Sequence, residues 1–273
     1  CLLSRGLGDV YKRQLVHHVQ SHYVAEKTVV VAAGNFDVDP WMALAKELFA
    51  GMRASTDVPV LQQATPAKYV GQSLARRFTQ VSQVFVNVAY PLVPAAQEQG
   101  ARRRSRLAAS LAAYLFGEGM SSPLVDTVRE QLGLAYTAYA AMESGDVWAN
   151  FIVHAVTTPD KLEALLTATR RLLQAQAAGI DPVHLERAKN QLTVSRVRSG
   201  ERTYATMEQA VEELFANGTV TPIAETLAMI DDIGAEEVRM VFERMLAHPP
   251  ALAITGKGVS AKAARQLAGC LQA

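Results

Sequence analysis

Arg129 and Tyr136 are the residues of this 273-residue chain whose types and spacing most invite chemistry. A guanidinium carries a rigid fork of N–H donors, and a phenol keeps its single O–H donor at neutral pH. The two lie seven positions apart in "SSPLVDTVREQLGLAYTAYA", residues 121 to 140. Leu124, Val125, Val128 and Leu132 fall at helical spacing. Gly133 then supplies a stop, and "LAYTAYAA" reads as a strand. Arg129 is therefore expected on the last turns of a helix and Tyr136 at the entry to a strand. Two long, polar-tipped side chains can reach the same space from such a corner. Spacing alone leaves a plainer arrangement open, with Arg129 paired to Glu130, Asp126 or Glu143 and Tyr136 in the core.

The other residues with ligand or nucleophile chemistry do not assemble into a motif. His18 and His22 are four positions apart, but no Glu separates them and no third ligand accompanies them. His17, His18 and His22 read as one solvent-facing helix, His154 as a hydrogen-bonded, partly buried strand residue, and His184 and His248 as surface residues. Two cysteines, Cys1 and Cys270, fit neither a disulfide framework nor a cysteine-based zinc site. "FGEGMSSPL" is Gly-rich but lacks the strand-loop-helix context of a nucleotide site. It reads as the loop and N-cap that position the helix carrying Arg129.

Apolar residues make up 49% of the chain and charged residues 19%, enough to bury a real core. A net charge of +1 gives no reason to expect nucleic acid or an anionic membrane as partner. The basic cluster Arg102, Arg103, Arg104 and Arg106 falls within a helical pattern and is expected to be a solvated face, or else an acidic contact surface. No apolar run approaches the ~18 residues of a membrane span.

Several elements must position the Arg–Tyr corner. Residues 1 to 14, "CLLSRGLGDVYKRQ", share no continuous periodicity with the adjoining chain and resemble a translated adapter, so a non-native, frayed or loosely helical tail is expected there. From Leu15 come a short helix, a buried strand in "KTVVVAAGN", and a helix capped by Asp39 and Pro40 with an apolar stripe of Trp41, Leu44, Leu48 and Phe49. The run from 53 to 66 has no period and two prolines, and residues 56 to 66 are taken as a linker. Beyond it, strands in "KYVGQSLARRF", "QVFVNVAYPLV", "DVWANFIVHAV" and "PALAITGKG" are interleaved with runs of helix. Adjacent strands and grouped helices argue an α+β fold, helices packed on one face of an antiparallel sheet.

Four blocks in order, "HYVAEKTVVVAAGNFDVD", "FGEGMSSPLVDTVREQLGLAYTAYA", "GIDPVHLERAKNQL" and "IDDIGAEEVRMVFERML", resemble the pitrilysin/insulinase family of zinc metallopeptidases. The branch is that of short bacterial proteins similar to mitochondrial processing peptidase. The resemblance implies two similar α+β domains facing each other across a chamber. Residues 15 to 55 would then be the C-terminal remnant of the first, zinc-bearing domain, and 67 to 273 the second, substrate-clamping domain. The family's zinc motif, His-x-x-Glu-His, does not occur here. The resemblance thus implies zinc in the intact enzyme or a partner subunit, with no metal ligand and no catalytic residue in this stretch. It assigns Arg129 and Tyr136 as substrate-binding residues that face the zinc from the second domain. The guanidinium suits a peptide carbonyl and the phenol suits the oxyanion of a tetrahedral intermediate. The implied partners are a peptide or protein substrate and a zinc-bearing domain or subunit of the same family. The implied function is the C-terminal part of a zinc-dependent endopeptidase, inactive alone. The alternative is a non-catalytic subunit or structural partner of a zinc-bearing peptidase subunit. A cytoplasmic and a periplasmic setting in a bacterium are equally compatible with the sequence.

Overall fold

The computed structural model describes residues 3–54, 68–92, 99–145 and 147–271. The expected linker, 56 to 66, lies outside the described residues. In chain order the helices are α1 (Leu3–His22), α2 (Val38–Phe49), α3 (Gln99–Gly117), α4 (Pro123–Val125), α5 (Leu162–Ala178), α6 (Pro182–Gly200), α7 (Thr203–Asn217), α8 (Ile223–Asp232), α9 (Ala235–Leu246) and α10 (Ala261–Gly269). The strands are β1 (Ser73–Arg77), β2 (Val84–Pro91), β3 (Thr137–Ser144), β4 (Ala149–Thr157) and β5 (Ala251–Gly256). By packing, the chain divides into two units, Cys1–Ala64 with Ser199–Val220, and Thr65–Arg198 with Thr221–Ala273.

The smaller unit is short of a core. Among its described residues Val24 alone is buried. α1 runs unbroken from Leu3 to His22, across the boundary expected at residue 14, and exposes Tyr11, Leu15 and Val19. The α2 stripe forms as its spacing requires, but no residue of α2 is buried. "KTVVVAAGN" differs from expectation. After a single 3-10 turn at Ala25–Lys27, Thr28 is extended, yet no strand forms in this segment among the described residues. A strand exists through its ladder, and apolar sequence cannot substitute for a hydrogen-bonded neighbour.

The larger unit holds a five-stranded sheet in the order β1-β5-β2-β4-β3. β2 is antiparallel to β4 and β5, and β3 is antiparallel to β4. The edge pair β1–β5 is parallel, with Ser73 opposite Leu252 and Arg77 opposite Gly256, where an antiparallel sheet was expected. These are the first and last strands, and the whole unit between them supplies the long crossover that parallel pairing needs. Alternation sets the two faces. Val84, Val86, Val88 and Tyr90 of β2 and Phe151, Val153 and Ala155 of β4 are buried, while Phe85 and Asn87 are exposed. The helices cover the buried face. Leu111, Leu115 and Phe116 of α3, Leu165, Leu166 and Leu173 of α5, and Val238, Phe242 and Met245 of α9 join one core. Phe116, Phe151 and Phe242 meet with centroids 5.7 to 6.0 Å apart. Fully burying each such side chain contributes about 1.5–3 kcal/mol.

The basic cluster corrects the solvated-face expectation. Arg104 forms a two-pronged pair with Glu237 of α9 (2.7 and 2.8 Å) and reaches Asp232 of α8 at 2.7 Å. Arg103 donates to Thr221 and, at 2.7 Å, to Thr226. The acids that Arg104 meets and the threonines that Arg103 meets belong to the same unit and tie α3 to α8 and α9.

Candidate functional site

The corner carrying Arg129 and Tyr136 is built from Ser122 onward. The buried Ser122 hydroxyl accepts from Val125 N–H and donates to Gly119 O at 2.8 Å. Pro123 takes the first helical position of α4, where its missing N–H costs nothing. Arg187 of α6 holds the same loop. Its guanidinium donates to Leu115 O at 3.0 Å and to the Ser121 carbonyl and hydroxyl, so the "GIDPVHLERAKNQL" block supports the site from below.

After Val125 the helix widens into a π-turn over Asp126–Gln131. The Leu132 N–H reaches back five residues to Thr127 O (3.0 Å), and the Leu134 N–H six residues to Val128 O (2.7 Å). Gly133 closes the turn at φ +56°, the left-handed position that glycine fills without a Cβ penalty. Such turns are rare and recur at functional sites. Buried Leu124 and Val128 anchor one side of it, and Arg129 leaves from the other.

Arg129 and Tyr136 come together. The guanidinium carbon lies 5.1 Å from the Tyr136 ring centroid, a cation–π stack worth about 0.5–1 kcal/mol at an exposed position. Arg129 Nε also pairs with Glu130 Oε1 at 3.1 Å. One half of the plainer arrangement therefore occurs, the Glu130 pairing. The other half does not, because Tyr136 is 78% exposed and outside the core. With the Arg129 side chain 38% exposed, neither of its Nη nitrogens has a partner among the described residues. The corner thus offers two guanidinium N–H edges and one phenolic O–H to a carbonyl, carboxylate or oxyanion.

His154 sits on the exposed face of β4, its Nδ1 2.9 Å from Asn87 Oδ1 and its ring 4.9 Å from that of Tyr139. Partial burial pulls its pKa below the ordinary histidine value. Gln83 is exposed, one residue ahead of β2. The Thr157 hydroxyl donates to Leu134 O and the Lys161 ammonium to Gly133 O, contacts that had no reading in the sequence, where "TTPDK" signals only a helix start.

The described residues do not fit a zinc ion. The His18 and His22 rings stack on each other at 4.3 Å, and His22 Nδ1 lies 2.9 Å from the His18 carbonyl oxygen. Among the described residues no group of three or more His, Cys, Asp or Glu side chains is placed to hold a metal. No described helix is long and apolar enough to cross a membrane.

The family model described as the Peptidase M16 inactive domain matches residues 9–192, which include both Arg129 and Tyr136. The chain belongs to the peptidase M16 family. An uncharacterized zinc protease of Rickettsia felis is 26% identical over 236 residues, covering 86% of this chain and 55% of that protein. The chain spans about half the length of the curated relatives it matches. Among solved structures, a chain of Complex III2 from Candida albicans matches with TM-score 0.76 at 18% identity, over 92% of this chain and 61% of that one. A peptidase M16 inactive domain from Pseudomonas fluorescens matches with TM-score 0.67 at 18% identity, over 83% and 53%. These likenesses carry the α+β fold of M16 inactive domains.

Proposed function

We propose that this chain is the substrate-clamping part of a zinc-dependent M16 endopeptidase, with zinc held by a separate domain or subunit. In this reading residues 15 to 55 are the end of the zinc-bearing domain and 67 to 273 the clamping domain. The observation that carries it is the Arg129–Tyr136 stack, solvent-facing and with donors to spare, in a chain of the M16 inactive-domain family. The Arg129 guanidinium binds a backbone carbonyl of an extended peptide through its Nη edge, while Glu130 holds the Nε side. The Tyr136 hydroxyl donates to the carbonyl oxygen as it gains negative charge. Stacking fixes the guanidinium plane before substrate arrives, which lowers the ordering cost of binding.

The test uses the intact enzyme, or this chain combined with its zinc-bearing partner. Loss of turnover in Tyr136→Phe and Arg129→Ala, with folding unchanged, supports the clamp; normal turnover in both refutes it. A second reading, a non-catalytic subunit of a larger assembly, is favoured by the likeness to a chain of Complex III2. It predicts stable association with a partner whose activity ignores both substitutions.

A further inference from the structure

We infer that Thr157 and Lys161 are positioning residues for the Arg129–Tyr136 pair, an inference that rests on the proposed clamp only for the turnover arm of its test. The C-terminal end of the π-turn leaves carbonyls in need of donors. Val128 O is taken by the N–H groups of Leu134 (2.7 Å) and Ala135 (3.2 Å). Two carbonyls of the corner that follows, those of Gly133 and Leu134, are met from the last residue of β4 and from the 3-10 turn after it, Pro159–Lys161. The Thr157 hydroxyl donates to Leu134 O at 2.6 Å, and the Lys161 ammonium donates to Gly133 O at 2.8 Å. A cation at a helix C-terminus also meets the negative end of the dipole.

Thr157 is suited to this by its own fixation. It is the last residue of β4, opposite Val84 of β2, and only 4% exposed. Its neighbour Val156 pairs with Thr137, the residue after Tyr136. Tyr136 is therefore held downstream by the β3–β4 ladder and upstream by Thr157 and Lys161. Arg129 comes directly after Val128, whose carbonyl is bound to the same upstream segment. A continuous frame runs from the sheet through Thr157 and Leu134 to Val128, and it sets where the two side chains meet. Without the Thr157 hydroxyl, the half-buried Leu134 carbonyl loses its donor and the Gly133 hinge is free to swing. A misplacement of about 1 Å at such a pair can cost ~10²-fold in turnover.

The experiment compares Thr157→Val, which keeps the branched shape and removes the hydroxyl, with Thr157→Ser, which keeps the hydroxyl. In the chain itself, the Arg129 side-chain NMR signals should carry the upfield ring-current shift of a guanidinium over Tyr136. Thr157→Val should abolish most of that shift, and Thr157→Ser should retain it. Lys161→Met, at an exposed side chain, should reduce it in part. In the intact enzyme the valine variant should lose about 10-fold or more in kcat and serine should restore it. Lost shift with unchanged turnover upholds the positioning and refutes the clamp. An Arg129 shift unchanged in a folded Thr157→Val variant overturns the inference. Should that variant fail to fold, an unchanged shift in Lys161→Met overturns it.

Discussion

Tyr136 is a phenol whose ring leans on a cation while its hydroxyl faces water. Its packing and its hydrogen-bonding power are therefore separable. Tyr136→Phe keeps the ring over Arg129 and should leave the unfolding midpoint unchanged, since an exposed hydroxyl contributes little to stability. If the hydroxyl meets the developing oxyanion, turnover of the intact enzyme should fall by about 10²-fold, roughly 3 kcal/mol. Arg129→Lys should lose activity as well, because a point-charge ammonium cannot reproduce the donor fork. Steady-state kinetics beside thermal melts distinguishes this from a structural brace, for which stability would fall and turnover per folded molecule would not. A second charged residue makes a pH-dependent contribution. The hydrogen bond from Arg104 holds the Glu237 carboxyl below its ordinary value of 4.5. A depressed folded pKa contributes stability that is present above the unfolded value and lost as pH falls through the folded one. Arg104→Gln should thus shrink the loss of stability on acidification below about pH 5, and urea titrations at pH 7 and pH 4 would read the difference.

At the scale of elements, the site depends on close approach and on an unusual helix ending. Gly117 closes α3 against β3, and a Cβ there would lie 2.2 Å from Ala140 N and 2.7 Å from Ala140 Cβ. Backbone cannot yield as a flexible side chain can. Gly117→Ala should therefore destabilise by about 2–3 kcal/mol through overpacking, measured by chemical denaturation. Gly133→Ala tests a different cost, for its Cβ would meet nothing within 4 Å while its φ of +56° remains. About 1–2 kcal/mol is expected from the left-handed backbone alone. Equal effects in the two variants would mean that the corner, like α3, is crowded. The π-turn between them matters because its wider winding, together with the Gly133 corner, brings Arg129 against Tyr136.

At the scale of the molecule, the two units differ in how well they are supported. The larger has a continuous core under a five-stranded sheet. The smaller buries Val24 and exposes Leu44, Leu48 and Phe49 of α2 along with Tyr204 and Phe215 of α7. Exposed apolar area on that scale marks an interaction surface or an aggregation liability. The purified chain should bind a hydrophobic dye in its native state, and a variant with Leu44→Gln and Leu48→Gln on the exposed α2 stripe should bind less. Unchanged or stronger dye binding by that variant would count against this assignment. The absent donor set leads to the last expectation. After dialysis the chain should retain no stoichiometric zinc and cleave no peptide, and one tightly held zinc per chain by metal analysis would contradict it.

Local sequence alone determined the helix-stop-strand corner, because the apolar spacing, Gly133 and the "LAYTAYAA" run are contiguous signals. It also determined the alternation of β2 and β4, which the two-residue period writes directly into "QVFVNVAY" and "NFIVHAV". The tertiary structure decided everything that needed a distant partner. The acids that take up Arg104 lie more than 120 positions away. The direction of β1 is set by the last strand of the chain, and "KTVVVAAGN" has no ladder partner among the described residues. The register of Arg129 with Tyr136 belongs to the same class. Seven positions of spacing place the two at one corner, but the segment between the π-turn and Tyr136 is held by donors from Thr157 at the end of β4 and from Lys161 just beyond it. Propensity and period act over a few neighbours along the chain. A carbonyl without a partner is satisfied only by whatever group the fold brings within about 3 Å of it.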